Sequence, residues 1–180
     1  MLTKSKMRAV HLCLAPAAAA GALTATGYLA TPALADTDTG STTANVDVSS
    51  AITLTNLTAA FTLSGSPGQT PTTGATPVTM TVTTNNFAGY NVTVVPATVN
   101  LSPAIVGNAD VIPSNDLEVD GPVQNGTFVH LTFGTPIIVA TKATASAPAG
   151  DAITNNYRIT IPFVRPDTYT GVLNYVATTL

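Results

Sequence analysis

Asp151 to Leu180 runs D-A-I-T-N-N-Y-R-I-T-I-P-F-V-R-P-D-T-Y-T-G-V-L-N-Y-V-A-T-T-L, and its period of two decides the fold class. Tyr157, Ile159, Ile161 and Phe163 alternate with Arg158, Thr160, Pro162 and Val164, so one face of a strand is apolar and turns to a core. Tyr169, Leu173, Tyr175 and Ala177 repeat the period. Between the two runs, Arg165-Pro166-Asp167-Thr168 fits a type I turn, because proline pre-sets φ at the second turn position and aspartate tolerates the third. The stretch predicts an antiparallel hairpin with Ile161 and Leu173 both buried. Pro162 cannot donate to a ladder, which places it at an outer edge or a bulge. Tyr169 has two open fates. Its hydroxyl folds back onto backbone between Phe163 and Asp167, as at the corner of a Greek-key sandwich, or it reaches water at the end of the sandwich.

Upstream, the same period recurs in shorter runs. Val46 and Val48, then Ile52 and Leu54, predict a first strand or a broken pair, and Phe61 with Leu63 a second. Ser64 to Pro77 is a loop by composition. Val78, Met80 and Val82, followed by Tyr90, Val92 and Val94, predict a second hairpin across Asn85 to Gly89. Short strands are expected near Val99 to Leu101 and at Leu117 and Val119. Val129, Leu131 and Phe133 pair with Ile137 and Val139 across Gly134-Thr135-Pro136. Seven to nine strands at this spacing predict an all-β, immunoglobulin-like Greek-key sandwich over residues 45–180.

The N-terminus has a different composition. Lys4, Lys6 and Arg8 precede an Ala/Leu-rich run that closes on Ala33-Leu34-Ala35, the pattern of an export signal cut before Asp36. Pro16, Gly21, Gly27 and Pro32 break that run short of the roughly 20 apolar residues a spanning helix needs. Residues 1–35 are therefore expected to be a signal peptide and 36–44 a flexible leader. Cys13, the one cysteine of the 180 residues, lies in the signal and has no lipobox around it. The remaining chain holds three basic residues, Lys142, Arg158 and Arg165, against nine acidic ones. This balance disfavours nucleic acid and anionic membrane as partners, since either needs a clustered basic patch.

Few arrangements in the exported part suggest chemistry. His130 is its one histidine and alternates out of phase with Val129 and Leu131, so it faces solvent. No G-x-S-x-G elbow is present for a hydrolase. Asp110, Asp116, Glu118 and Asp120, with Asn108 and Asn115, have the oxygens to surround calcium. Their spacing matches no EF-hand loop, and alternating Asp116, Glu118 and Asp120 form the wet face of a strand. Asn56-Leu57-Thr58, Asn91-Val92-Thr93, Asn100-Leu101-Ser102 and Asn125-Gly126-Thr127 are glycosylation triplets that a threonine-rich chain produces by chance. Tyr90, Tyr157, Tyr169, Tyr175 and Phe87 have the aromatic faces of a sugar-stacking platform. Three of them fall on inward faces by alternation and the core is the better reading, with Phe87 at a turn tip the best exposed candidate. No catalytic, cofactor-binding or metal-binding residue is assigned.

V-T-M-T-V-T-T-N-N-F-A-G-Y-N-V-T-V and the closing Y-R-I-T-I-P-F-V-R-P-D-T-Y-T-G-V-L-N-Y-V-A-T-T-L resemble the small secreted β-sandwich proteins of actinobacteria. More distantly they are similar to WxL-type cell-surface domains of Gram-positive bacteria. In both, a threonine-rich strand runs into T-N-x-x-x-G-Y, and a late I-P strand precedes P-x-T-Y-x-G. The chain has no tryptophan, so the W-x-L motif itself is missing. The resemblance implies location and fold: a secreted or envelope-associated sandwich. The expected function is a non-enzymatic structural or adhesion protein that meets cell-wall glycan or other surface proteins. The alternatives are a carbohydrate-binding module and a pilin-like subunit assembling by strand exchange.

Overall fold

The computed structural model describes residues 37–180. The expected signal peptide lies outside the described residues. Residues 37–51 form no regular element and are exposed throughout. Of the first strand or broken pair expected over Val46, Val48, Ile52 and Leu54, the Ile52–Leu54 part forms and the Val46–Val48 part does not, with Val48 78% exposed. Strands follow at β1 (Ile52–Thr55), β2 (Val78–Thr84), β3 (Tyr90–Pro96), β4 (Asn100–Pro103), β5 (Ile112–Pro113), β6 (Leu117–Asp120), β7 (Val129–His130), β8 (Ile137–Lys142), β9 (Asp151–Ile159), β10 (Tyr169–Thr170) and β11 (Leu173–Thr179). One 3-10 turn, Ser114–Asp116, precedes β6. No helix among the described residues is long and apolar enough to cross a membrane.

Every ladder is antiparallel. A five-stranded sheet has the order β1-β2-β9-β6-β7, a three-stranded sheet β11-β3-β8, and a small sheet β10-β4-β5. The protein is thus all-β and sandwich-like. Alternation produces the core: Val78, Met80 and Val82 of β2, Val119 of β6, and Ile153 and Tyr157 of β9 meet Val92 and Val94 of β3 and Val139 of β8, all essentially without solvent contact. Each such valine contributes roughly 1.5 to 3 kcal/mol by leaving water.

The strand partners differ from the expected hairpins at all three places. β2 pairs with β1 and β9, whereas β3 pairs with β8 and β11. β7 pairs with β6 and β8 with β3, leaving only a Thr132–Thr135 bridge at the tight turn between them. β9 lies between β2 and β6, while β11 joins β3 in the opposite sheet. Each predicted hairpin is an arch that carries the chain across the core. The physical reason is that alternation fixes which face of a strand is apolar but not whether its partner lies beside it or opposite it. A few linking residues suffice to cross the roughly 10 Å between packed sheets.

The arch after β2 shows how this is enforced. Asn86 Oδ1 accepts the Ala88 N–H at 3.0 Å, its carbonyl accepts Gly89 N–H at 3.1 Å, and its Nδ2 donates to the Leu180 carbonyl at 3.1 Å. Gly89 has φ +97, and a Cβ there would lie 1.8 Å from the Lys142 carbonyl oxygen of β8. Only glycine permits that approach.

The closing stretch departs furthest from expectation. β9 ends at Ile159, before Pro162, so Pro162 is outside the ladder altogether. Val164 N–H donates to the Pro162 carbonyl at 3.1 Å, and this tight fold breaks the alternation. Val164 then packs against the core and Phe163 is 96% exposed, the reverse of the expected facing. Ile161 and Leu173 are half-buried. Phe61, expected in a strand, is in none; its ring instead stacks on Tyr157 with centroids 4.6 Å apart. The Ser64 to Pro77 loop is partly laid along β9, with Thr73 N–H to Tyr157 O at 2.9 Å and Ile161 N–H to Gln69 O at 2.9 Å. It takes the place beside β9 that β2 leaves beyond Val78–Asn155.

Candidate functional site

Three groups of hydrogen-bonded polar side chains join distant parts of the sandwich. At the end where β3, β8 and β9 meet, Tyr90 Oη donates to Asp151 Oδ2 at 3.0 Å, and Lys142 Nζ donates to the two carboxylate oxygens at 2.9 and 3.1 Å. The Ala147 amide adds a fourth bond at 3.2 Å. Loss of hydration pulls the Asp151 pKa up, but the bonds from Lys142, Ala147 and Tyr90 outweigh it and hold the carboxyl below its ordinary value. Burial, with the adjoining carboxylate, pushes the Tyr90 phenol up to about 12. An ionised Asp151 beside a charged lysine is a clip between β8 and β9.

Inside the core, Tyr157 and Tyr175 touch hydroxyl to hydroxyl across the two sheets, and Asn155 Nδ2 donates to Tyr175 Oη at 3.2 Å. Burial raises both phenol pKa values, so both stay neutral and able to donate. Two hydroxyl protons and one amide must share these oxygens, and Asn155 Oδ1 has no partner among the described residues.

At the opposite end, Asp167 anchors the loop after β4. Its carboxylate accepts the Ile105 amide at 3.0 Å and Asn108 Nδ2 at 2.8 Å, and Asn108 Nδ2 also reaches Tyr169 Oη at 3.1 Å. Desolvation raises the Asp167 pKa, yet the bonds from Asn108 and the Ile105 and Thr168 amides bring it below the ordinary value. Tyr169 Oη donates to the Arg165 carbonyl at 2.9 Å. That carbonyl would serve Thr168 N–H in a hydrogen-bonded type I turn; here Thr168 N–H is taken by Asp167 Oδ1 at 2.7 Å. Of the two fates open to Tyr169, the chain adopts the corner.

The acidic residues singled out in the sequence are not brought together. Asp110 accepts the Arg165 amide at 2.9 Å, and Asp120 accepts the Gly126 amide at 2.9 Å. Glu118 pairs with Arg158, whose guanidinium lies 4.4 Å over the Phe128 ring. Asp116 sits in the 3-10 turn. Among the described residues no three His, Cys, Asp or Glu side chains converge on one point. His130 faces solvent as expected, but both ring nitrogens have neighbours: Nδ1 lies 2.6 Å from the Asn115 carbonyl and Nε2 3.6 Å from Glu118 Oε1. Because a carbonyl can only accept, Nδ1 is the donor in the contact with Asn115.

Several loop tips present apolar side chains. Phe87, at the tip of the β2–β3 arch, is 92% exposed, and Ile105, Val106 and Phe163 stand out at the end held by Asp167. Phe87 is where the sequence placed it; Phe163 was missed because its alternation pointed inward. A depression of about 320 Å³ lined by Gln69, Thr70 and Pro71 carries no ionisable side chain. Compared with family models, with curated proteins and with solved structures, the chain matches none.

Proposed function

We propose that the protein is an exported, non-enzymatic component of the cell surface or matrix, with an immunoglobulin-like Greek-key sandwich that serves structure or adhesion. The observation that carries this reading is the division of labour between side chains. Asp110 and Asp167 tie the loop after β4 to the loop before β10, and Asn86 braces the β2–β3 arch, while Phe87, Phe163, Ile105 and Val106 are offered to solvent on those braced loops. Rigid loop tips bearing apolar side chains suit contact with another surface. The net negative charge of the exported part favours neutral or basic partners over nucleic acid and anionic membrane.

A second reading is a module for cell-wall glycan or another carbohydrate, favoured by the exposed ring of Phe87, which has the flat apolar face a sugar stacks on. Incubation of the purified chain with purified cell wall separates the two. Saturable retention that disappears in Phe87→Ala supports the glycan module; no retention, with binding to intact cells stripped of glycan, supports adhesion through surface proteins. Export itself is read by mass spectrometry of culture supernatant, where Asp36 is expected as the first residue; full-length chain recovered from membranes would contradict it.

A further inference from the structure

The turn between β6 and β7 holds the only Asn-Gly pair of the chain, Asn125-Gly126. Both residues are exposed, and both have positive φ, +50 and +89. Glycine leaves its own backbone nitrogen unshielded, and among the described residues nothing lies within 4 Å of where a Cβ would stand. That nitrogen is the atom able to attack the preceding side-chain carbonyl carbon and close a five-membered ring. Its proton is directed at a carboxylate, since Gly126 N–H donates to Asp120 Oδ1 at 2.9 Å. This is within the reach a general base requires. Asp120 is held on β6 opposite Asn156 of β9, so the base stands on a ladder and the reacting pair on the turn beside it.

We propose that Asn125-Gly126 is a self-modification site, at which Asp120 as general base converts Asn125 to a succinimide and then to aspartate or isoaspartate. Asp120 takes the Gly126 amide proton while the nitrogen bonds to Asn125 Cγ. The Cγ–Nδ2 bond breaks, the proton passes from Asp120 to the leaving nitrogen, and ammonia departs, so Asp120 is again a carboxylate. Water then opens the ring at either carbonyl. The net change replaces the amide NH2 by a hydroxyl without oxidation or reduction. The turn that reacts also covers the outer edge of β8: Val123 N–H donates to Val139 O at 3.0 Å and Gln124 Nε2 to Ile138 O at 2.8 Å. A new carboxylate beside Asp120, or the extra backbone carbon of isoaspartate, loosens that cover.

The test is peptide-mapping mass spectrometry of the full chain held folded at neutral pH, with ammonia release followed in parallel. Asn125 should convert ahead of every other asparagine, and Asp120→Ala, which unlike Asp120→Asn makes no second Asn-Gly pair with Gly121, should slow the reaction at least about tenfold. A smaller effect or a faster reaction in Asp120→Ala would overturn the proposal, because the carboxylate would then be idle or a lock. Should that variant fail to fold, the parent is compared with itself in urea. Faster conversion when folded supports a positioned base, and slower or absent conversion when folded overturns it.

Discussion

The hydroxyl of Tyr169 donates to the carbonyl of Arg165, four residues upstream, at 2.9 Å. This bond ties the start of β10 to the bend that precedes it. The same hydroxyl accepts from Asn108, so the loop after β4 is held at the same point. Tyr169→Phe should therefore lower stability by about 1 kcal/mol, the net worth of one made hydrogen bond. Denaturant unfolding reads this as a lower midpoint at unchanged slope; an unmoved midpoint would mean the hydroxyl is served as well by water.

Tyr157 and Phe163 were expected on one apolar face, and the fold separates them. Tyr157 is fully buried and stacked on Phe61, whereas Phe163 is 96% exposed. Tyr157→Ala should cost about 3 to 5 kcal/mol, and Phe163→Ala should fall within about 0.5 kcal/mol of the parent. Similar losses at both positions would restore the continuous strand.

Much of this fold was legible. The inward residues of β2, β3, β6 and β9 follow directly from alternation, because a half-buried strand has no other way to hide its apolar side chains. The partners were not legible, since Met80 and Val92 satisfy the same rule whether they share a sheet or face each other. The facing of Phe163 failed for a local reason, the Pro162–Val164 fold that shifts the phase by one residue. At the candidate site, Asp110, Asp116, Glu118 and Asp120 are close in sequence, but the bends between them and their separate partners keep them apart. The Asp167–Asn108 and Tyr157–Tyr175 contacts join residues distant along the chain, and no local pattern signals them.

Gly89 tests the arch directly. Its φ of +97 costs a side chain about 1 to 3 kcal/mol, and the Lys142 carbonyl adds a clash. Gly107 has φ +88 with nothing nearby, so Gly107→Ala measures the conformational part alone. Thermal unfolding should show Gly89→Ala to be clearly the more damaging; equal losses would mean β8 does not pack against the arch.

Stability should fall at both ends of the pH range, for different groups. The folded-state pKa of Asp151 is depressed, so its contribution is present above the unfolded value of about 4 and lost as pH falls through the lower folded value. Asp151→Asn should be less stable at neutral pH and show a shallower acid limb. Tyr90 is the converse: with its pKa raised to about 12, its contribution is complete below the unfolded value of about 10 and is lost as pH rises toward 12. Tyr90→Phe should flatten part of the alkaline limb. Limbs unchanged in both variants would separate these groups from the pH response.

The central structural claim is that β9 and β11 face each other across the core instead of pairing. Backbone proton contacts in an NMR spectrum of the folded chain decide it most directly. Contacts between Val176 and Thr93, and between Arg158 and Glu118, are expected from the two ladders. Backbone contacts joining Tyr157 or Ile159 to Leu173 or Tyr175 in a continuous antiparallel series would contradict the account and restore the hairpin.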